Sequence, residues 1–181
     1  MLHIVYGGSA SGKSSYAESF ALSLQGDGRL LYIATMYPYK WNTKEIDPET
    51  MQRIERHRAM RADKGFDTVE CYRHVEHIVA KRQDVLLLEC MSNLVANEMF
   101  ADGKITDKKA VVKKIIAGME KLKESVAHLV IVSNNVFEDG IVYDQTTMDY
   151  IEAIGQINGQ LARMADEVVE VVVGIPVINS R

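Results

Sequence analysis

The sequence predicts an α/β fold of the P-loop NTPase type, a single domain with a mostly parallel central sheet and helices on both faces. Short apolar runs rich in branched residues alternate with longer helical patterns, as they do in βαβ units. The runs at 85–88 and 129–132 are continuously apolar, which is typical of strands covered on both faces. A glycine-rich segment at 7–14 separates the first apolar run from the first helical pattern.

This alternation predicts six strands and six helices. The strands are expected at 2–6, 30–35, 67–71, 85–90, 129–134 and 168–173. The helices are expected at 13–24, 48–61, 75–82, 92–100, 107–126 and 145–165. Because ligands of open parallel sheets bind beyond the carboxyl ends of the strands, we expect the functional site at that edge.

Length and composition limit the classes of function. The 181 residues, 47% apolar and 25% charged, are typical of a globular protein, and we expect one P-loop nucleotide-binding domain over 1–181. A net charge of −4 provides no general field for nucleic acid, so any anion site must be built locally. Two cysteines are too few for a disulfide framework, and we recognise neither a signal peptide nor a membrane-spanning run. We therefore expect a cytoplasmic protein with no nucleic-acid partner and no membrane span.

The segment at 7–14 fits the phosphate-binding pattern G-x-x-x-x-G-K-[ST]. Its residues are Gly7, Gly8, Ser9, Ala10, Ser11, Gly12, Lys13 and Ser14. Glycines let backbone N–H groups surround phosphate oxygens, and the following helix adds free donors and a positive dipole end. Lys13 is expected to reach the β- and γ-phosphates of ATP or GTP, and the Ser14 hydroxyl to bind Mg²⁺. A chance match in a glycine-rich turn is the minor alternative, because the expected strand and helix flank the segment.

An acid at the end of another apolar strand is expected to complete the metal site. Glu89, which closes the run at 84–89, is the best candidate. The alternative is that Glu89 caps the helix that begins near Ser92.

The predicted helix at 48–61 is unusually basic. Glu55 is the only acid among five bases from Arg53 to Arg61, so pairing along the helix does not explain the cluster. A solvated charged face is one interpretation. The functional alternative is that three arginines neutralise phosphates while a histidine attacks one, since histidine is mostly neutral at pH 7. The residues in these roles are Arg53, Arg58 and Arg61, with His57 as the nucleophile.

The remaining histidines carry less weight. His3 and His128 lie at strand starts and are predicted to be structural. Cys71, His74 and His77 are spaced three apart, which is compatible with zinc. However, no fourth ligand or second pair accompanies them, so a metal site there is the minor hypothesis.

These motifs together resemble the bifunctional adenosylcobinamide kinase / adenosylcobinamide-phosphate guanylyltransferase family. The resemblance runs in order through nearly the whole chain. It comprises the P-loop, the Tyr-Ile-Ala-Thr segment at 32–35, the arginine helix at 53–61, Leu-Glu-Cys at 88–90 with Asn97, Val-Ser-Asn at 132–134, Asn158, and Gly-Ile-Pro at 174–176. Many enzymes share the P-loop, whereas a histidine-bearing arginine helix after Tyr-Ile-Ala-Thr is much more specific.

The resemblance implies two activities. A kinase step phosphorylates the aminopropanol hydroxyl of adenosylcobinamide. In the transferase step a histidine displaces pyrophosphate from GTP, and cobinamide phosphate takes the GMP from the resulting guanylyl-enzyme. The family's nucleophile corresponds to His57, and its P-loop lysine and magnesium-side hydroxyl correspond to Lys13 and Ser14. The resemblance also implies Mg²⁺, a corrinoid substrate and a homotrimer.

Some positions depart from the family's pattern. Asn135 replaces an acid and Gly159 replaces a glutamine. Loss of that acid would remove a metal contact or a general base, so the sequence does not decide whether the kinase activity is retained. Glu138 or Asp139 is the alternative source of a carboxylate.

The segment 36–44 is also longer than in the family and carries Trp41, Tyr37 and Tyr39. These aromatic side chains could stack on a base or cover a corrin ring. The alternative is a loop packed against its own domain or against a neighbouring subunit.

Two other functions compete with the bifunctional enzyme. One is a different small-molecule P-loop kinase with a structural His57. The other is a nucleotide-binding protein that has lost one or both activities, as the changes at Asn135 and Gly159 suggest.

Overall fold

The computed structural model describes residues 1–40, 43, 45–135, 140, 141 and 143–179. Seven strands of this part of the chain form one sheet in the order β3-β2-β4-β5-β1-β6-β7. The strands are β1 (Leu2–Gly7), β2 (Leu30–Ala34), β3 (Asp67–Glu70), β4 (Val85–Glu89), β5 (His128–Asn134), β6 (Glu167–Val172) and β7 (Ile175–Asn179). The helices are α1 (Lys13–Ser23), α2 (Pro48–Arg61), α3 (Met91–Met99), α4 (Lys108–Ser125) and α5 (Gln145–Met164).

The sheet is parallel apart from its last pair, β6 with β7. Helices cover both faces, as the sequence predicts. Buried side chains of α3, α4 and α5 pack on one face, and α1 packs on the other through Ala17 and Ala21. The predicted fold class is therefore confirmed. Because β1, β2, β4 and β5 run in one direction, their carboxyl ends meet at a single edge, where the segments after them can build one site.

Helix α2 differs from the other helices because it packs into neither core. Its only buried residue is Arg61. The helix has the predicted bounds, with Asp47 as N-cap and Pro48 at the first helical position. Because α2 buries no apolar side chain, few apolar contacts hold it, and its position depends on the polar contacts described below.

One predicted helix is wrong. Instead of a helix over 75–82, the structure has a short 3-10 turn, Val75–His77, which ends at an extended residue, Ile78. The turn is anchored by Val75, which is buried against α4 where Gly118 leaves room for it. The apolar residues at 75–82 therefore do not form one face of a helix. Val75 alone among the three residues of the turn is buried.

One strand was missed. β7 returns antiparallel to β6 through a tight turn in which Val173 and Gly174 both have positive φ. All five residues of β7 are exposed, so the segment lacks the alternation of buried and exposed positions that marks a half-buried strand. Pro176 also argues against a strand in a sequence pattern, although proline is tolerated at a sheet edge.

The two histidines at the strand starts contact each other. His3 Nε2 lies 3.1 Å from His128 Nδ1, and His3 Nδ1 lies 3.1 Å from a carboxylate oxygen of Glu167. Burial lowers the pKa of both histidines, which favours neutral rings. The pair lies at the amino ends of β1 and β5, away from the carboxyl edge, in agreement with the structural role predicted for it.

Replacing Gly28 with alanine is expected to destabilise the fold by about 3 kcal/mol, because a Cβ there would lie 1.8 Å from the Gln83 carbonyl oxygen. The obstacle is backbone and cannot rotate away. Urea unfolding followed by circular dichroism measures the effect. Gly26→Ala is the matched control, since a Cβ at Gly26 would meet no atom of the described residues within 4 Å. Equal urea midpoints for the two variants would contradict the close approach of these segments.

Candidate active site

The P-loop, residues 7–14, joins β1 to α1 and is closed by its own lysine. Lys13 is 9% exposed, and its Nζ donates a hydrogen bond of 2.9 Å to the carbonyl oxygen of Gly8. Gly12 has a φ of 89° as the N-cap of α1, a conformation that favours glycine. The first turn of α1 therefore points its free N–H groups toward the space that the loop surrounds.

The turn between β6 and β7 supports the P-loop from outside. Gly174 N donates to the Ser11 carbonyl oxygen at 2.7 Å. A Cβ at Gly12 would lie 3.3 Å from Gly174 Cα, and a Cβ at Gly7 would lie 2.5 Å from the Val171 carbonyl oxygen. Two P-loop glycines therefore allow close backbone packing as well as phosphate access. The sequence did not predict the contact between Gly174 and Ser11, because it did not predict β7.

A cleft of about 460 Å³, called here the main cleft, opens beside the P-loop. It lies between the P-loop, the inner face of α2 and the carboxyl ends of the strands. All the candidate residues from Ser9 onward line it, whereas Gly7 and Gly8 do not. Those lining it are Ser9, Ala10, Ser11, Gly12, Lys13, Ser14, Arg53, His57, Arg58, Arg61 and Glu89.

His57 faces Glu89 across this cleft. His57 Nδ1 lies 3.8 Å from Glu89 Oε1, and this buried ring nitrogen has no hydrogen-bond partner among the described residues. Glu89 Oε2 accepts a hydrogen bond of 3.0 Å from the hydroxyl of Tyr32. Burial raises the pKa of Tyr32 well above its usual range, so the phenol stays protonated and keeps donating. The carboxylate is thereby held facing the imidazole.

Glu89 does not cap α3. The N-cap of that helix is Cys90, and no side-chain cap hydrogen bond is made there. Glu89 instead projects into the main cleft, which also contains the Ser14 hydroxyl. Burial lowers the pKa of Lys13, and the nearby Glu89 opposes that shift.

The arginines of α2 have different surroundings. Arg61 is buried, its guanidinium carbon lies 3.4 Å from the ring centroid of Tyr32, and its Nη1 donates to the His57 carbonyl oxygen at 2.9 Å. Arg58 forms an exposed ion pair of 2.6 Å with Glu70. Arg53 forms no ion pair or hydrogen bond with the described part of the chain. Arg61 therefore fixes the helix beneath His57, while Arg53 is available to a ligand.

Three residues of the family resemblance, Thr35, Asn97 and Asn158, form hydrogen bonds that connect neighbouring segments. The Thr35 hydroxyl accepts from Cys90 N at 2.7 Å and so ties β2 to the end of β4. Asn97 Nδ2 donates to the carbonyl oxygens of Thr35 and Tyr72 at 2.7 and 2.9 Å. Asn158 accepts from the Ser133 hydroxyl at 2.6 Å. These bonds hold the carboxyl edge of the sheet on which the cleft is built.

A buried ion pair beneath the site was missed. Glu18 of α1 is fully buried and accepts a bond of 2.5 Å from Lys64, which follows α2. Burial raises the pKa of Glu18, and the lysine opposes the shift. The pair joins the P-loop helix to the end of α2. Both residues look like surface charges in the sequence, because their pairing depends on the tertiary approach of two distant segments.

Of the positions that depart from the family's pattern, the structure describes Asn135 and Gly159. Asn135 N donates to the carbonyl oxygen of Gly7 at 3.2 Å, so the position adjoins the P-loop. Among the described residues, a Cβ at Gly159 would meet only Arg163 Nη1, at 3.9 Å. Trp41 and the possible replacement acids Glu138 and Asp139 lie outside the described residues.

The histidine cluster of the zinc hypothesis has a different composition. Cys71 Sγ bonds to a backbone carbonyl oxygen at 3.2 Å, and Glu76 joins His74 and His77, with ligand atoms within 4.8 Å of one another. Lys114 Nζ lies 3.0 Å from His74 Nδ1. A positive charge therefore lies against this cluster and opposes the binding of a second cation there. None of the helices in the described ranges is long and apolar enough to cross a bilayer.

Comparison with known proteins gives concordant matches. The family model described as "Cobinamide kinase / cobinamide phosphate guanyltransferase" matches residues 3–178. The chain is 32% identical to the bifunctional adenosylcobalamin biosynthesis protein CobU of Salmonella typhimurium and 33% identical to that of Escherichia coli, covering 98% of each chain in both comparisons. Among solved structures, the flagellar accessory protein FlaH of Methanocaldococcus jannaschii aligns with a TM-score of 0.41 and 11% identity, over 93% of this chain and 70% of that one.

Proposed function

Since the chain belongs to the cobinamide kinase / cobinamide phosphate guanyltransferase family, we propose that its main cleft binds GTP and that His57 carries GMP to cobinamide phosphate. The enzyme phosphorylates cobinamide and transfers a guanylyl group to the product. The observation that supports the role of His57 most directly is its position. Its imidazole shares one cleft with the P-loop and faces the carboxylate of Glu89.

The first half of the guanylyl transfer uses the two ring nitrogens differently. With Nδ1 protonated and facing Glu89, the Nε2 lone pair attacks the α-phosphorus of GTP. A P–N bond forms, the bond from the α-phosphorus to the bridging oxygen breaks, and pyrophosphate leaves. Glu89 then stabilises the positive charge that develops on the ring, and Tyr32 keeps the carboxylate in place.

The second half consumes the guanylyl-enzyme. An oxygen of the cobinamide phosphate attacks the same phosphorus, the P–N bond breaks, and its electron pair returns to Nε2. The product contains a new pyrophosphate linkage, and His57 is regenerated neutral. Because phosphorus transfer depends mainly on positioning and charge neutralisation, the cleft needs few other reacting groups.

The kinase step is assigned to the P-loop. Backbone N–H groups of Gly8–Ser14 surround the phosphates, and Lys13 moves from the Gly8 carbonyl to the γ-phosphate. Ser14 and Glu89 offer oxygen donors of the kind that Mg²⁺ prefers, and the ion, when bound, would neutralise phosphate charge. Arg58 is positioned to leave its exposed pair with Glu70 for a nucleotide phosphate.

The proposal is tested by incubating the purified protein with Mg²⁺ and GTP labelled at the α-phosphate, followed by denaturation. We expect label bound to protein, lost in acid and retained in alkali, as for a histidine phosphoramidate. Protein that binds GTP but acquires no label would contradict the covalent mechanism. A cytoplasmic homotrimer is part of the same proposal, and light scattering on the purified protein measures the assembly.

A further inference from the structure

A second cavity, called here the side cavity, lies next to the main cleft. It has a volume of about 450 Å³ and is bounded by the chain after β2, the start of α2 and the first turns of α3. Met36, Arg53 and Asn93 line both cavities, so the two spaces meet at these side chains. A molecule in the side cavity would therefore reach the same reaction centre as GTP in the main cleft, from another side.

Arg53 is the charged group at this junction. It lies four residues before His57, one helical turn away on the same face of α2. Arg58 is paired with Glu70 and Arg61 is stacked on Tyr32, whereas Arg53 has no partner in the described ranges. An exposed, unpaired guanidinium beside the nucleophile is suited to bind a phosphate through two parallel hydrogen bonds.

The other residues that line the side cavity include two tyrosines, two asparagines, Lys40 and Asp47. Tyr37 and Tyr39 contact each other edge to face at 5.4 Å between ring centroids, and Tyr37 contacts Tyr72 in the same way at 5.3 Å. The Asn93 side chain, like Arg53, has no partner within the described part of the chain. Lys40 is paired with Glu45 and Asp47 accepts a hydrogen bond from Thr50, so Arg53 is the cation left for a ligand. The cavity thus combines this guanidinium, where it meets the main cleft, with tyrosine rings in its wall, which matches a ligand with a phosphate on a short arm.

We propose that the side cavity receives the phosphorylated aminopropanol arm of the cobinamide acceptor, and that Arg53 binds the acceptor phosphate. This inference rests on the proposed guanylyl transfer. A corrin macrocycle with its amide substituents is larger than the cavity, so only the arm enters, and Tyr37 and Tyr39 contact the edge of the ring. Arg53 is thereby assigned to the acceptor and not, as the sequence suggested, to the nucleotide.

The test separates the two half-reactions. Guanylyl-enzyme formation is measured with α-labelled GTP, and the isolated labelled enzyme is then mixed with cobinamide phosphate at varied concentration in single turnovers. For Arg53→Ala we expect labelling as in the unmodified enzyme and an acceptor concentration for half-maximal transfer that is raised about 10- to 100-fold. Arg53→Lys should restore part of the loss, because it keeps the charge without the two parallel bonds.

Arg82→Ala is the control for the loss of an exposed arginine, since Arg82 lines neither the main cleft nor the side cavity. Its acceptor dependence should not change. Aminopropanol phosphate alone should compete with cobinamide phosphate in the unmodified enzyme and lose this effect in Arg53→Ala. Normal acceptor dependence in Arg53→Ala, or a defect confined to labelling, would overturn the assignment. Absence of label in the unmodified enzyme would instead reject the proposed function itself.

Discussion

Replacing His57 with alanine is expected to reduce guanylyl transfer by on the order of 10⁴-fold or more, because the group that forms the covalent bond is removed. Labelling with α-phosphate-labelled GTP should disappear in the same variant. Phosphorylation of cobinamide should continue, because that step is assigned to the P-loop residues and not to His57. GTP binding should persist for the same reason, and calorimetry measures it.

His77→Ala provides the control for this experiment. His77 is exposed and stacks on His74 outside the main cleft, so its replacement should leave labelling and transfer unchanged. A His57→Ala protein that still accumulates acid-labile label would show that another side chain is the nucleophile. A variant that loses cobinamide phosphorylation as well would show that His57 serves both steps or that α2 has moved.

The parts of the site that could be predicted from the sequence are local in the chain. The P-loop needs only eight consecutive residues, and α2 is specified by Asp47, Pro48 and its run of bases, so its bounds were predicted correctly. Their convergence was also predictable, because parallel strands direct their carboxyl ends to one edge. Glu89 followed from its place at the end of an apolar strand.

What the sequence did not reveal depends on contacts between distant segments. The support of Ser11 by Gly174 requires β7, which is too exposed to show a strand pattern. The stacking of Arg61 on Tyr32 requires knowing that α2 crosses the end of β2. Neither residue propensities nor the spacing of residues along the chain predicts that these distant segments come into contact. The sequence treats the three arginines of α2 alike, because only tertiary contacts distinguish Arg58, paired with Glu70, from the buried Arg61 and from Arg53.

Lys13 provides the second large effect, and it tests whether one nucleotide site serves both activities. Lys13→Ala should lower the rate of cobinamide phosphorylation by about 10²- to 10³-fold, because a preorganised cation is removed from the charge of the transferring phosphoryl group. The labelling of His57 should fall in parallel, since Lys13 and His57 line the same cleft. Rates are measured with labelled nucleotide in both half-reactions.

Lys113→Ala, on the exposed side of α4, is the control for the loss of a positive charge and should leave both rates unchanged.

Together, the Lys13→Ala and His57→Ala variants distinguish two arrangements of the enzyme. If both activities fall in Lys13→Ala and only one falls in His57→Ala, a single P-loop positions GTP for guanylyl transfer and the phosphoryl donor for the kinase step. If labelling survives the loss of Lys13, GTP must bind beside His57 without the P-loop, and the two activities use separate nucleotide sites.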